Sequence, residues 1–216
     1  MFAYLYWHIL SFICLLFSLI IILPCVVYLI HSPTQSFPGI MRRSAFTRTA
    51  MQSLDKQLWQ SRISLSTKLK LYNTCILLIF LYGSECWAMT TEDARRINAL
   101  HQWCHRMLLG IKWYHFICND EVRCQTNQPL LTEIIQARHL TLFGHITRMD
   151  DNVDTKQILT SSPSVYWKRP PGLRMTWMKT VQNDLDSHGL SWTDAVDLAQ
   201  NRPFWRLLAT SGAMHS

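Results

Sequence analysis

The chain has 216 residues and a mass of 25.3 kDa, room for one ordinary domain with a short appendage, and its 49% apolar content is enough to build a core. Charged residues reach only 16%, against about 25% in a typical soluble protein, and seven Gly with eight Pro exclude collagen-like and linker-like classes. A formal net charge of +7 favours anionic partners over basic ones.

The charge is unevenly spread. Met1 to Met41 contains no Asp, Glu, Lys or Arg, and within it Leu5 to Ile30 reads LYWHILSFICLLFSLIIILPCVVYLI, with only His8, Ser11 and Ser18 plainly polar. A helix of that length spans ~39 Å, more than the roughly 30 Å hydrocarbon core of a bilayer. Tyr4, Tyr6 and Trp7 at one end and Tyr28 at the other suit the interfacial aromatic belt, and Pro24 kinks the span. Basic residues follow it and none precedes it, which sets the N-terminus outside and the rest of the chain in the cytoplasm. A cleavable signal peptide is the competing reading, but the positive n-region and a small-x-small cleavage site are missing. Residues 1–31 are therefore expected to be a single transmembrane anchor, localising the protein to a membrane as a single-pass chain. The apolar run in Leu71 to Tyr82 is too short to span and reads as buried helix.

Residues 32–40, with two prolines and a glycine in SPTQSFPG, are expected to form a linker. From Arg42 to Lys70 there are seven basic residues (Arg42, Arg43, Arg48, Lys56, Arg62, Lys68, Lys70) against Asp55 alone, a local charge of +6. Further on the pattern is helical. Ser66 is placed to cap a helix through Leu69, Tyr72, Ile76 and Phe80, stopped by Gly83. Thr90 or Thr91 starts a second, with Glu92 and Asp93 in its first turn, an apolar stripe through Ile97, Leu100, Cys104, Met107, Leu108 and Ile111, and Gly110 at its end. Asn119 caps a short helix containing Val122. A longer one follows from about Leu131 to Met149, with Ile135, Leu142 and Ile146 on one face and Ile134, Ala137 and Leu140 widening it. Residues 150–173 read as irregular. Met175 to Ser187 is an amphipathic helix ending at Gly189, and the capping box Ser191 to Asp194 opens another that runs toward Asn201 and Pro203. No segment alternates as a strand does, so the body is expected to be all-α.

His101 and His105 lie one helical turn apart with Cys104 adjacent, a spacing that can chelate a metal. The Glu of an HExxH motif is missing, and Cys118 and Cys124 are too far apart for a zinc knuckle, so histidines on the helix surface and cysteines in the core are expected, with no metal site. The odd set Cys75, Cys86, Cys104, Cys118 and Cys124 has no disulfide framework and suits a reducing compartment. Acidic pairs such as Asp150-Asp151 fall at helix ends and loops, and nucleotide, hydrolase and P-loop signatures are absent. No catalytic residue, cofactor or small-molecule substrate is expected. The basic block has two physical uses besides that of a solvated face and topology signal. It can hold anionic lipid headgroups beside a membrane, or neutralise nucleic-acid phosphates without reading sequence. Lys168, Arg169 and Arg174 form a second basic loop around Pro170, Pro171 and Gly172.

Several stretches occur together in a fixed order: LSTKLKLYNTCILLIFLYGSECW (Leu65 to Trp87), HQWCHRMLLGIKW (His101 to Trp113), NDEVRCQT (Asn119 to Thr126), ARHLTLFGHITRM (Ala137 to Met149) and the tail from Trp177 to Leu208. This series resembles the region that follows the reverse-transcriptase palm in RTE-like non-LTR (LINE-type) retrotransposon polyproteins. The resemblance implies a thumb-like helical segment over residues 41–113 and a post-thumb helical tail over 114–216, which in such a polyprotein helps hold template RNA and the RNA–DNA duplex. It implies no polymerisation, because the family's palm, with its Tyr-x-Asp-Asp motif, and its endonuclease would precede Met41. Relatives commonly carry Gly-Arg-Pro in the loop before the tail, whereas this chain has Gly172-Leu173-Arg174. The combined expectation is a non-catalytic, retrotransposon-derived reverse-transcriptase fragment on a membrane anchor, with weak non-specific RNA or DNA binding. The alternative is a single-pass membrane-anchored interaction protein whose basic juxtamembrane segment docks on anionic lipid.

Overall fold

The computed structural model describes residues 36–112, 114–160 and 175–211, and every regular element among them is helical. The expected membrane span, linker residues 32–35 and the loop carrying Lys168, Arg169 and Arg174 lie outside the described residues. Among the described residues no helix is long and apolar enough to cross a membrane. Ile40–Ser216 forms one unit; of the other, Met1–Gly39, only the last four residues are described.

Helix α1, Ser36–Ser53, corrects the linker expectation at residues 36–40. Pro38 sits in its first turn, where a backbone N–H has no intrahelical acceptor, so the ring costs no hydrogen bond. Ile40, Arg43, Thr47 and Met51, at three- and four-residue spacing, form its buried face. After a π-helical turn at Asp55–Trp59, Ser64 caps α2, Leu65–Leu71, two residues before the predicted cap, its hydroxyl accepting from the Thr67 N–H at 3.3 Å. A second π-helical turn, Tyr72–Ile76, leads into α3, Leu77–Leu81. Tyr72, Ile76, Leu77, Phe80 and Leu81 are all buried along this run. Gly83, at φ 68°, ends the run and a 3-10 turn, Ser84–Cys86, follows.

Helix α4, Thr91–Leu108, opens with a capping box: the Thr90 hydroxyl accepts from the Asp93 N–H at 3.2 Å while the Asp93 carboxylate accepts from the Thr90 N–H at 3.1 Å. It stops at Gly110, φ 68°, where the Ile111 N–H reaches the Arg106 carbonyl and the Gly110 N–H reaches that of Met107. This is a Schellman stop, and it folds Ile111 back toward the preceding turn. Helix α5, Asn119–Thr126, is capped by the Cys118 sulfur rather than by Asn119. Helix α6, Leu131–Thr147, and α7, Asp154–Thr160, follow; α7 occupies part of the segment expected to be irregular. Helix α8, Trp177–Ser187, ends in a second Schellman stop at Gly189, and α9, Trp192–Gln200, starts at Ser191 as predicted. A last helix, α10, Arg202–Ser211, was not expected; it carries Pro203 in its first turn and uses the Asn201 side chain to accept from the Phe204 N–H.

Two hydrophobic clusters form the core. The first joins α1 to α4, around Trp59, Tyr72, Phe80, Ile97, Leu100 and Leu108, and the second joins α8, α9 and α10 around Val181, Leu185, Ala195 and Trp205. Helix α6 belongs to both, giving Leu131 and Ile135 to the first and Leu140, Phe143 and Ile146 to the second.

The motif residues meet along α6. His139 is fully buried, its Nδ1 2.8 Å from the Asp184 carboxylate and its Nε2 3.1 Å from the Ser84 carbonyl, so one ring ties α8 to the turn after Gly83. Arg138 donates to the Leu81 carbonyl at 2.9 Å, and the Trp177 indole donates to the Glu85 carbonyl at 2.7 Å. Further along α6, Gly144 faces Trp205, whose indole N–H donates to the Leu140 carbonyl at 2.7 Å. A Cβ on Gly144 would stand 2.1 Å from that indole nitrogen.

Candidate nucleic-acid interface

The basic block does not act as one surface. Arg42, Arg48, Lys56, Arg62 and Lys70 are exposed, while Arg43 and Lys68 are withdrawn into the body. The Arg43 guanidinium lies 5.3 Å from the Tyr82 ring centroid and 5.7 Å from that of Trp87, a cation–π seat that fixes α1 against the turn after α3. The Lys68 ammonium donates to the Trp59 carbonyl at 2.5 Å, while the Trp59 indole donates to the Met51 carbonyl at 2.9 Å. These two cations hold the fold, so they are removed from the expected contact set by burial. Lys168, Arg169 and Arg174 lie outside the described residues.

The structure adds residues that charge counting missed. Trp103, Arg106, Met107, Ile111 and Lys112 line an open groove of about 290 Å³ at the end of α4. The Arg48 guanidinium stands 6.0 Å from the Trp103 ring centroid and so links α1 to the groove. Arg106 donates to the Ile117 carbonyl at 2.6 Å and to the Asn119 side chain at 3.0 Å, pinning the loop after Gly110. That loop carries Phe116, whose side chain is fully exposed. The sequence signal was the Leu-Gly-Ile stop itself: a Schellman turn returns the following residues over the helix end, beside residues four to eight positions earlier.

The histidine pair is a correction. His101 and His105 are buried rather than on the helix surface, with ring centroids 4.1 Å apart, and the Tyr72 ring lies 5.9 Å and 5.4 Å from them. The His101 Nε2 and both His105 ring nitrogens have no hydrogen-bond partner. Burial, reinforced by the neighbouring His105, lowers the His101 pKa to about 3, and burial lowers that of His105 to about 4, so both are neutral. Burial pushes the Cys104 thiol up to about 12, keeping it protonated. Among the described residues, no group of three or more His, Cys, Asp or Glu side chains could hold a metal ion. Of the cysteines expected in the core, Cys104 is buried, whereas Cys86, Cys118 and Cys124 are exposed and Cys75 is half-buried.

No family model matches the chain, and no solved structure matches it. It is similar to an uncharacterized transposon-derived protein of Caenorhabditis elegans, 25% identical over 186 residues that cover 82% of this chain and 65% of the relative. The chain thus spans about 65% of that relative's length. The likeness agrees with the transposon origin expected from the motif series.

Proposed function

We propose that the chain is a non-catalytic, retrotransposon-derived segment equivalent to the thumb and C-terminal region of an RTE-like reverse transcriptase, and that it binds RNA without reading sequence. Support for the origin comes from the ordered motif series and from the transposon-derived relative. The observation that carries the RNA reading is the exposure of five cations, Arg42, Arg48, Lys56, Arg62 and Lys70, together with the contact of Arg48 with Trp103, which lines a groove with no acidic side chain. Each cation that meets a phosphate releases condensed counterions, so affinity must fall with salt. With five such contacts to a single strand the log–log slope against salt is expected to be about −3.5, with micromolar or weaker binding at physiological ionic strength. Fluorescence anisotropy of labelled RNA across a salt series measures it. Binding that is undetectable at low salt, or indifferent to salt, overturns the reading.

The uncharged stretch Leu5 to Ile30 adds a membrane anchor to this proposal, with the N-terminus outside and the helical body cytoplasmic. Alkaline carbonate extraction of the expressed full chain is expected to leave it in the membrane pellet. Release into the soluble fraction would count against the anchor.

A further inference from the structure

We propose that the groove at the end of α4 is a binding site for one unpaired nucleobase of single-stranded RNA, stacked on Trp103 with its flanking phosphate met by Lys112 and Arg48. This inference rests on the RNA-binding reading and gives it a specific seat.

The site is built by local chemistry. Gly110, in the left-handed region, lets the chain reverse, and the Ile111 N–H closes on the Arg106 carbonyl at 2.9 Å. That brings Ile111 and Lys112 into the lining of the groove with Trp103 and Met107. This lining is fixed twice: Arg106 holds the Ile117 carbonyl and the Asn119 side chain, and the Lys112 N–H donates to His115 Nδ1 at 3.2 Å while the His115 N–H donates to the Lys112 carbonyl at 3.0 Å. A groove held this way is already shaped before a ligand arrives.

Its lining has two chemistries. Trp103, Met107 and Ile111 offer an aromatic face and soft apolar walls, and Lys112 and Arg106 bring positive charge with no acidic neighbour among the lining residues. A flat π-system attached to an anion satisfies both. A nucleobase on a phosphodiester backbone is such a group, and stacking on an aromatic side chain accepts any base. The Arg48 guanidinium, 6.0 Å from the Trp103 ring centroid, brings a further cation with several N–H donors beside the indole. Duplex RNA does not fit, because its base faces are occupied by neighbouring pairs. Selectivity for single strands is therefore the signature that separates this seat from attraction by surface charge.

The test uses the detergent-solubilised full chain and three labelled probes of equal length: oligoadenylate, an abasic ribose-phosphate oligomer, and a duplex RNA. Trp103→Ala is expected to weaken oligoadenylate binding about tenfold, within the range for losing one base–aromatic stack, while leaving the salt slope and duplex affinity unchanged. Trp103→Phe should retain most of the affinity. Lys112→Ala, at an exposed position, should lower the single-strand salt slope by about 0.7. The abasic probe asks the same question without altering the protein: the unaltered chain should bind it about as weakly as Trp103→Ala binds oligoadenylate. Equal affinity for the abasic probe and oligoadenylate, with salt dependence intact, overturns the base seat and leaves the charge reading standing. Loss of all salt-dependent binding overturns both.

Discussion

Placing a methyl group on Gly144 is expected to cost the fold about 3–5 kcal/mol, a large share of a domain's stability. The new Cβ would lie 2.1 Å from Trp205 Nε1, 2.3 Å from Cδ1 and 2.9 Å from Cε2, separations no carbon atom tolerates. Trp205 is almost fully buried and cannot swing into solvent without emptying the centre of the second cluster. Moving it also breaks its hydrogen bond to the Leu140 carbonyl, leaving a polar group unpaired inside the core. Denaturant melts of Gly144→Ala followed by far-ultraviolet circular dichroism measure the loss. The double variant supplies the sharper test. Once Trp205→Ala has removed the obstacle, Gly144→Ala should be neutral or stabilising by up to about 1 kcal/mol, because alanine favours a helix over glycine. If the methyl group costs the same in both backgrounds, the indole contact is not the cause.

Acidification from about pH 7 to about pH 5 is expected to remove about 4 kcal/mol of stability through His101 and His105 together. The sign follows from the depressed pKa values, about 3 and about 4 in the folded chain against an ordinary 6.5. Above pH 6.5 both rings are neutral folded or unfolded, and their contribution is fully present. Below it the unfolded chain takes up protons that the folded chain refuses, and stability falls until the pH passes the folded values. Tyr72 and Cys104 offer no counter-charge, since burial raises both and keeps them protonated, and Arg48 is a like charge. Replacing both rings by leucine should flatten the change in denaturation midpoint over that window, whereas an unchanged pH dependence would place its origin elsewhere.

The helices were legible where a polar cap and a glycine bracket an apolar stripe, as from Thr90 to Gly110, and where a capping box opens one, as at Ser191. Two failures share one cause. Pro38 and Pro203 read as helix breakers in the sequence, yet each sits in the first turn of a helix, where the missing N–H costs nothing. The π-helical turn at Tyr72 inserts a residue that periodicity cannot register. In the basic block, charge could be counted from sequence but exposure could not. Arg43 and Lys68 lie on the same three- and four-residue spacing as apolar neighbours, and only packing against Tyr82, Trp87 and Trp59 shows them to be buried. His101 and His105 share the stripe of Ile97, Leu100, Cys104 and Leu108, a register that indicated burial more directly than their polarity indicated solvent.

Helix α6 gives its first half to one cluster and its second half to the other. Helical order propagates cooperatively along such a segment, so its middle cannot melt without loosening both ends. Neither cluster has a private supply of apolar surface at this seam: Leu131 and Ile135 are held in register by the same turns that present Leu140 and Phe143. Damage at Trp205 is therefore expected to loosen α6 and, through Leu131 and Ile135, the packing around Tyr72 as well, so that the two halves of the body unfold together.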